Sequence, residues 1–432
     1  MTLPSGSLSG LAPLLLCLPV MGGRLPLADT EDLYAAEFNN DRISVLDAEG
    51  NYLRNFTAPG LDGPQGIAFG PNELIYVGSS LSDEVVVFDR AEQLVTRFSA
   101  PELAAPKGLA INDADELLVA SADLDRICVF GLDGTFLRWF DAPGLTAPNS
   151  ITLNSVGNLF VTSSSEAVFE FDAAEQFVGS FTVPAGFILA GPSGIARDVN
   201  DDIWVAGSGS HNILRFAPDG TLLSQLKHPD LMGPQGLAFD DSGNLYAAAM
   251  LSDSIVEFDA SGAWVQTISD PGLHLPQGLA FAPPCPPPVT YCTAGTSASG
   301  CQASISTLGS ASATKSSGFI LFGTSVEGAK DAWFFYGTNG RQATTWGNGT
   351  SFLCVTPPVK RGGTMVPTGT AGACNGAFGM DLNARWCATC PKPFHNPGAG
   401  AIVQAQLWYR DPLNTSNQTT SMSDAVEFFV CP

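Results

Sequence analysis

Six polar residues stand at one repeated position of this chain. Gln65, Lys107, Asn149, Ser193, Gln235 and Gln277 each follow a proline and precede a glycine or serine, in phrases such as GPQGLAFD at 233–240. Gathered around one point, these amides, the hydroxyl and the lysine would form a ring able to hold a polar ligand or ordered water. The competing reading is that they merely satisfy backbone and solvent at turns. A second set of candidates falls in short turns between apolar runs: Asp41 with Arg42, Asp83, Asp125 with Arg126, Glu166, His211 with Asn212, and Asp253.

Residues that would announce a known reaction are sparse. The four histidines, His211, His228, His274 and His395, are scattered, and no Gly-x-Ser-x-Gly, His-Glu-x-x-His or phosphate-cradling loop occurs. The turns DVNDD (198–202) and NDADE (112–116) could attract calcium, yet both lack the regular Asp spacing and distal Glu of a calcium loop. No cofactor is therefore expected, with calcium left open. Cys387 and Cys390 have Cys-x-x-Cys spacing, which reads first as a structural disulfide. A zinc site would want a second pair or histidines beyond His395, and a redox site a helix start.

Charge and cysteine divide the chain. Residues 1–282 hold 36 acids against 11 bases and residues 283–432 hold 6 against 8, so the acidity belongs to the first part. Such a surface repels phosphate, which makes nucleic acid and anionic membrane poor partners. Eight of the ten cysteines (Cys285, Cys292, Cys301, Cys354, Cys374, Cys387, Cys390 and Cys431) lie in the last 148 positions, the pattern of a disulfide framework made in an oxidising compartment. The expected pairs are Cys292 with Cys301, Cys354 with Cys374, Cys285 with Cys431, and Cys387 with Cys390. LAPLLLCLPV at 11–20 suits a signal-peptide core and is too short to span a bilayer, although no Lys or Arg precedes it. Residues 1–28 are read as an export segment and the protein as secreted or surface-located, with no integral membrane segment in the mature chain.

The elements that must position the polar ring follow from the repeat. Gly66, Gly108, Ser150, Gly194, Gly236 and Gly278 are spaced by 42, 42, 44, 42 and 42 residues, the length of a supersecondary unit. Each unit contains four short apolar runs separated by turn compositions, for example GLAF, LYAAA, IVEFD and WVQTI after Gly236. Four-stranded meanders of this kind must pack face to face, and a ring of them removes the open edges. Gly and Ala in the first strands suit the crowded axis. Tyr34, Tyr76, Phe160, Trp204 and Tyr246, then Phe88, Phe130, Phe171, Phe216 and Phe258, suit the wider wedge between blades. Strand counting predicts six blades closed by the C-terminal GLAF at 278–281 joining the unit that begins at Leu33, with RLPLAD at 24–29 as the competitor. The connections into each first strand and between second and third strands should share one face.

The phrases Pro-x-Gly-Ile/Leu-Ala-Phe, Gly-Asn-Leu-Tyr and Val-Phe-Asp over residues 33–282 resemble the NHL-repeat β-propellers. The resemblance implies an all-β, six-bladed propeller at 29–282 and leaves activity open, because such propellers include sensors, scaffolds and a few enzymes. Similar six-bladed hydrolases of the gluconolactonase type hold an axial divalent metal with carboxylates and asparagines, and propeller lyases use histidines. The axial strands here contain neither Glu nor His. APPCPPPV reads as a stiff linker at 283–290. Residues 291–432, with WFFYGTNG, TTWGNGTSFLCV and QAQLWYRDP, resemble a C-terminal module of exported bacterial multidomain proteins and read as a small disulfide-tied β-sandwich. The leading expectation is a secreted module that binds a protein, glycan or small ligand at its propeller face. A lactonase-like hydrolase or lyase, and a structural envelope component, are the alternatives.

Overall fold

The structure, a computed structural model, describes residues 32–431 apart from 48, 182, 285, 314, 347–350, 387–395 and 412–419. The regular structure of the described residues is almost entirely strand, with two three-residue 3₁₀ turns and a single five-residue α-helix at Leu382–Trp386. The competitor segment at 24–29 and the whole export segment lie outside the described residues. No described helix is long and apolar enough to cross a membrane.

Between residues 33 and 281 the strands form four-stranded antiparallel sheets with simple meander order, six among the described residues. Five of them begin with the strand that carries the repeated phrase: Pro64–Phe69, Pro106–Ile111, Pro148–Leu153, Pro192–Arg197 and Pro234–Phe239. In the remaining sheet the strand Pro276–Phe281 pairs with Leu33–Glu37, placing Leu33 opposite Phe281, so the two ends of the repeat region share a sheet as strand counting predicts. Proline opens each strand because its missing N–H removes only a terminal ladder bond.

The first strands lie against one another in sequence order. A Cβ added to Gly66 would collide with the carbonyl of Lys107, one on Gly108 with Ser150, one on Gly194 with Gln235, one on Gly236 with Gln277, and one on Gly278 with Gln65. Asn149 Nδ2 donates to the Pro192 carbonyl at 3.0 Å and supplies the link between the third and fourth of these strands. The glycines are thus fixed by the approach of neighbouring backbones. Away from the axis, Tyr76, Phe160, Phe88, Phe130 and Phe171 are fully buried in cores shared by adjacent sheets. Arginines tie sheets together at their outer parts: Arg54 bonds Glu92 at 2.7 Å, and Arg138 reaches both Glu116 at 2.7 Å and Glu175 of the next sheet.

Beyond the proline-rich segment, a five-stranded sheet contains the long strands Ile402–Arg410 and Thr420–Phe429. A three-stranded sheet contains Ser304–Leu308, Ile320–Val326 and Gly376–Asp381. One core, including Ile305, Phe319, Phe334, Leu407, Tyr409 and Phe428, draws on both. The cysteine pairing differs from expectation. Cys292 bonds Cys354 and Cys301 bonds Cys374, whereas local loops Cys292–Cys301 and Cys354–Cys374 were expected. The Tyr291 hydroxyl donates to the Cys354 carbonyl at 2.8 Å, so this segment runs beside the strand Ser351–Val355 and presents Cys292 to it. Cys431 is also disulfide-bonded. Its expected partner Cys285, and Cys387 with Cys390, lie outside the described residues.

Candidate functional site

Each repeated first strand contains one extra residue after its proline. Pro64 stands opposite Ser79 while Ile67 stands opposite Val77, and the same slip recurs from Pro106 to Leu109, Pro148 to Ile151, Pro192 to Ile195 and Pro234 to Leu237. Such a bulge re-aims the side chain that occupies it. The result is that Gln65, Lys107, Asn149, Ser193, Gln235 and Gln277 line one axial cavity, with the six residues that follow them. The sequence-derived ring is therefore a spatial ring.

Its groups are largely engaged by neighbouring protein atoms. Lys107 Nζ donates to Asn149 Oδ1 at 2.8 Å, Ser193 Oγ donates to the Pro234 carbonyl at 2.7 Å, and Gln65 Nε2 reaches Ser80 Oγ at 3.2 Å. Gln235 and Gln277 both point their amide nitrogens at the Met250 sulfur, at 3.9 and 3.0 Å. Burial lowers the Lys107 pKa from its ordinary value, with Asp123 opposing the shift. The cavity measures about 50 Å³. This is room for a few waters, far below the roughly 300 Å³ at which organic ligands are enclosed.

The turn candidates share a different role. Asp41, Asp83, Asp125, Glu166, His211 and Asp253 all adopt left-handed backbone, with φ between 47° and 60°. Five of them cap an amide 22 residues further on. Asp41 Oδ1 accepts from Gly63 N at 2.8 Å, Asp83 from Ala105, Asp125 from Ala147 and Asp253 from Leu275 at 2.7 Å, and His211 Nδ1 accepts from Gly233 at 2.8 Å. Every capped residue precedes a proline and itself has positive φ, from 38° at Ala147 to 61° at Gly63. That conformation is costly for Ala105, Ala147 and Leu275, so the side-chain cap stabilises a strained entry into the next sheet. Glu166 is exposed and makes no side-chain hydrogen bond among the described residues. Arg42 pairs with Glu37 at 2.8 Å, Arg126 lies 4.2 Å over the Trp139 ring, and buried Asn212 donates to the Ile188 carbonyl at 2.8 Å.

Sequence reasoning missed a larger cleft on the opposite face, about 440 Å³, between the sheets that begin at Pro192 and Pro234. Its lining includes Trp204, Arg215, Phe239, Asp240, Asp241 and Asp259. Arg215 stacks 5.0 Å from the Trp204 ring and pairs with Asp202 at 2.6 Å and Asp198 at 3.1 Å, while Trp204 Nε1 donates to Asp198 at 3.1 Å. One signal was legible. Arg197 occupies the position that Phe69, Ile111, Leu153, Phe239 and Phe281 fill in the other first strands. The acidic turn 198–202 is occupied by its own backbone and by Arg215. Among the described residues no three His, Cys, Asp or Glu side chains group so as to hold a metal.

No protein-family model matches the chain, and no curated protein matches it. Solved structures do. A chain of the nidogen–laminin complex aligns with TM-score 0.50 at 19% identity over 59% of this chain and 98% of that one. Inactive virginiamycin B lyase from Staphylococcus aureus, with quinupristin, aligns with TM-score 0.48 at 16% identity over 60% and 93%. A Bacteroides caccae protein of unknown function aligns with TM-score 0.48 at 17% identity over 58% and 98%. At these identities the likeness speaks to fold alone. The repeat region is an all-β, propeller-like assembly of four-stranded sheets.

Proposed function

We propose that residues 29–282 form a six-bladed, NHL-type propeller acting as a secreted binding module, joined by the linker 283–290 to a sandwich-like β module that serves surface placement. Recognition would occur at the face carrying the polar ring, and the partner would be a protein or glycan surface rather than a small molecule in the channel. The observation that carries this reading is the match between a cavity of about 50 Å³ and apolar side chains exposed around it. Leu81 and Leu251 are 62% and 59% exposed, and their amides donate to the Asp62 and Met232 carbonyls beside the first-strand entries. Ile188, 66% exposed, sits in the loop leading to Pro192. Large exposed apolar groups gathered on one face are a feature of surfaces that bind other macromolecules.

The test compares wild type with a Leu81→Asp/Leu251→Asp double variant on a glycan array and against immobilised surface-protein fractions, with circular dichroism to verify folding. Binding should be lost in the double variant and kept in Val199→Asp, a control in the opposite face. Lactone hydrolysis accompanied by one stoichiometric metal would replace this reading with the hydrolase alternative. The cleft at Trp204 favours a second reading, a small-ligand site, and binding that survives the double variant but fails in Trp204→Ala would select it.

A further inference from the structure

Two carboxylates buried in the C-terminal region each carry an oxygen that lacks a hydrogen-bond partner among the described residues. Tyr409 pairs across the sheet with Ala332 on one side and Ser421 on the other, near the end of the strand Ile402–Arg410. Asp411 follows on the same face and is 0% exposed. Its Oδ2 accepts from Ala298 N at 2.9 Å and from Ser421 Oγ at 3.0 Å, but its Oδ1 has no hydrogen-bond partner among the described residues. Glu327, 3% exposed, has Lys330 Nζ 3.2 Å from Oε1, and its Oε2 likewise has no hydrogen-bond partner among the described residues. The Arg410 amide donates to the Asp331 carbonyl at 2.9 Å, which ties the turn following Glu327 to the strand end that bears Asp411. Both carboxylates lie near enough to the Tyr409 phenol to act on it: burial first, then Asp411 and Glu327, raise its pKa, with Ser421 opposing.

Two buried carboxylates and one ammonium leave one negative charge uncompensated. A charge of that kind is sustained in an interior only by a partner. We propose that Asp411 and Glu327 hold a hard cation through the oxygens that lack donors, with Ser421 and Tyr409 beside it. Oxygen-only donors select Ca²⁺ or Na⁺ over softer transition metals. The site would stabilise the C-terminal module in the cation-rich exterior.

The full-length protein, freed of metal by chelator and kept at constant ionic strength with tetramethylammonium chloride, is melted with CaCl₂, MgCl₂, NaCl or KCl, and bound metal is counted by elemental analysis. The expected result is a rise of roughly 5 °C in one transition with Ca²⁺ or with Na⁺, whichever is the occupant, and little with Mg²⁺. Asp411→Asn should lose that rise and should melt higher than chelated wild type, since the uncompensated charge is gone. Glu327→Gln should weaken the apparent affinity at least tenfold. Insensitivity of wild type to every cation, or an unchanged response in Asp411→Asn, overturns the proposal. If Asp411→Asn does not fold, the Glu327→Gln titration and wild-type calorimetry decide it.

Discussion

Replacing Gly108 with alanine tests the close approach of neighbouring first strands. The added methyl would lie 2.5 Å from Ser150 Cα, 2.8 Å from the Asn149 carbonyl oxygen and 3.0 Å from Ile151 N. All three are backbone atoms of the next first strand, so no side chain can swing aside. Carbon atoms prefer separations of about 3.5–4.0 Å, and relief demands a shift of about 1 Å between two strands that are each held from both sides. Overpacking costs typically 1–3 kcal/mol, and a rigid backbone neighbour puts this case at about 3 kcal/mol or more. For a domain of this size that corresponds to a fall of about 6–12 °C in melting temperature. Gly179 is the matched control: it is also in a strand, and a Cβ there would meet nothing within 4 Å. Gly179→Ala should stay within about 0.5 kcal/mol of wild type or gain slightly from reduced unfolded-state entropy. Thermal unfolding followed by circular dichroism measures both. A Gly108→Ala protein melting with the control would falsify the close axial packing and, with it, the ring.

The amide caps make a second prediction: Asp83→Ala should cost about 0.5–1.5 kcal/mol by removing the hydrogen bond that the Ala105 amide donates, whereas Asp83→Gly should cost less because glycine accepts the left-handed backbone, both read from chemical denaturation. Acid should loosen the outer part of the sheet that begins at Pro106, where Glu116 and Arg138 pair across its strands. Hydrogen bonds from Arg138 hold Glu116 at about 2 against its ordinary value of 4.5, so this contribution is complete above about pH 4.5 and fades as the pH falls toward 2. Because the pair is partly exposed, its worth is at most about 1 kcal/mol, and Arg138→Met should flatten the slope of stability over that window. Reduction should act on the C-terminal module alone: the Cys292–Cys354 and Cys301–Cys374 loops span 62 and 73 residues, each worth roughly 4 kcal/mol in loop-closure entropy, so dithiothreitol should lower one calorimetric transition and leave the propeller transition in place. Peptide mapping that returned Cys292–Cys301 instead would contradict the pairing.

The sequence by itself determined the repeat unit, the strands and the crowded axis. Sterics and periodicity are local: a proline that opens a strand, a glycine that admits a neighbouring backbone and an aromatic that fills a wedge leave their marks at a fixed spacing of about 42 residues. The ring of Gln65, Lys107, Asn149, Ser193, Gln235 and Gln277 was legible for the same reason. Tertiary structure decided what those residues are worth. Whether an amide faces ligand or the next strand depends on the bulge that re-aims it, and whether a cavity takes a substrate or a few waters depends on how closely six backbones approach. The turn carboxylates were indistinguishable in sequence from ligand groups because the amides they cap lie 22 residues away. The cysteine pairs crossed the expected local loops because register between distant strands, and not separation along the chain, brings sulfurs together. The buried charge of Asp411 had no sequence signature at all, since burial is a property of everything packed around a residue.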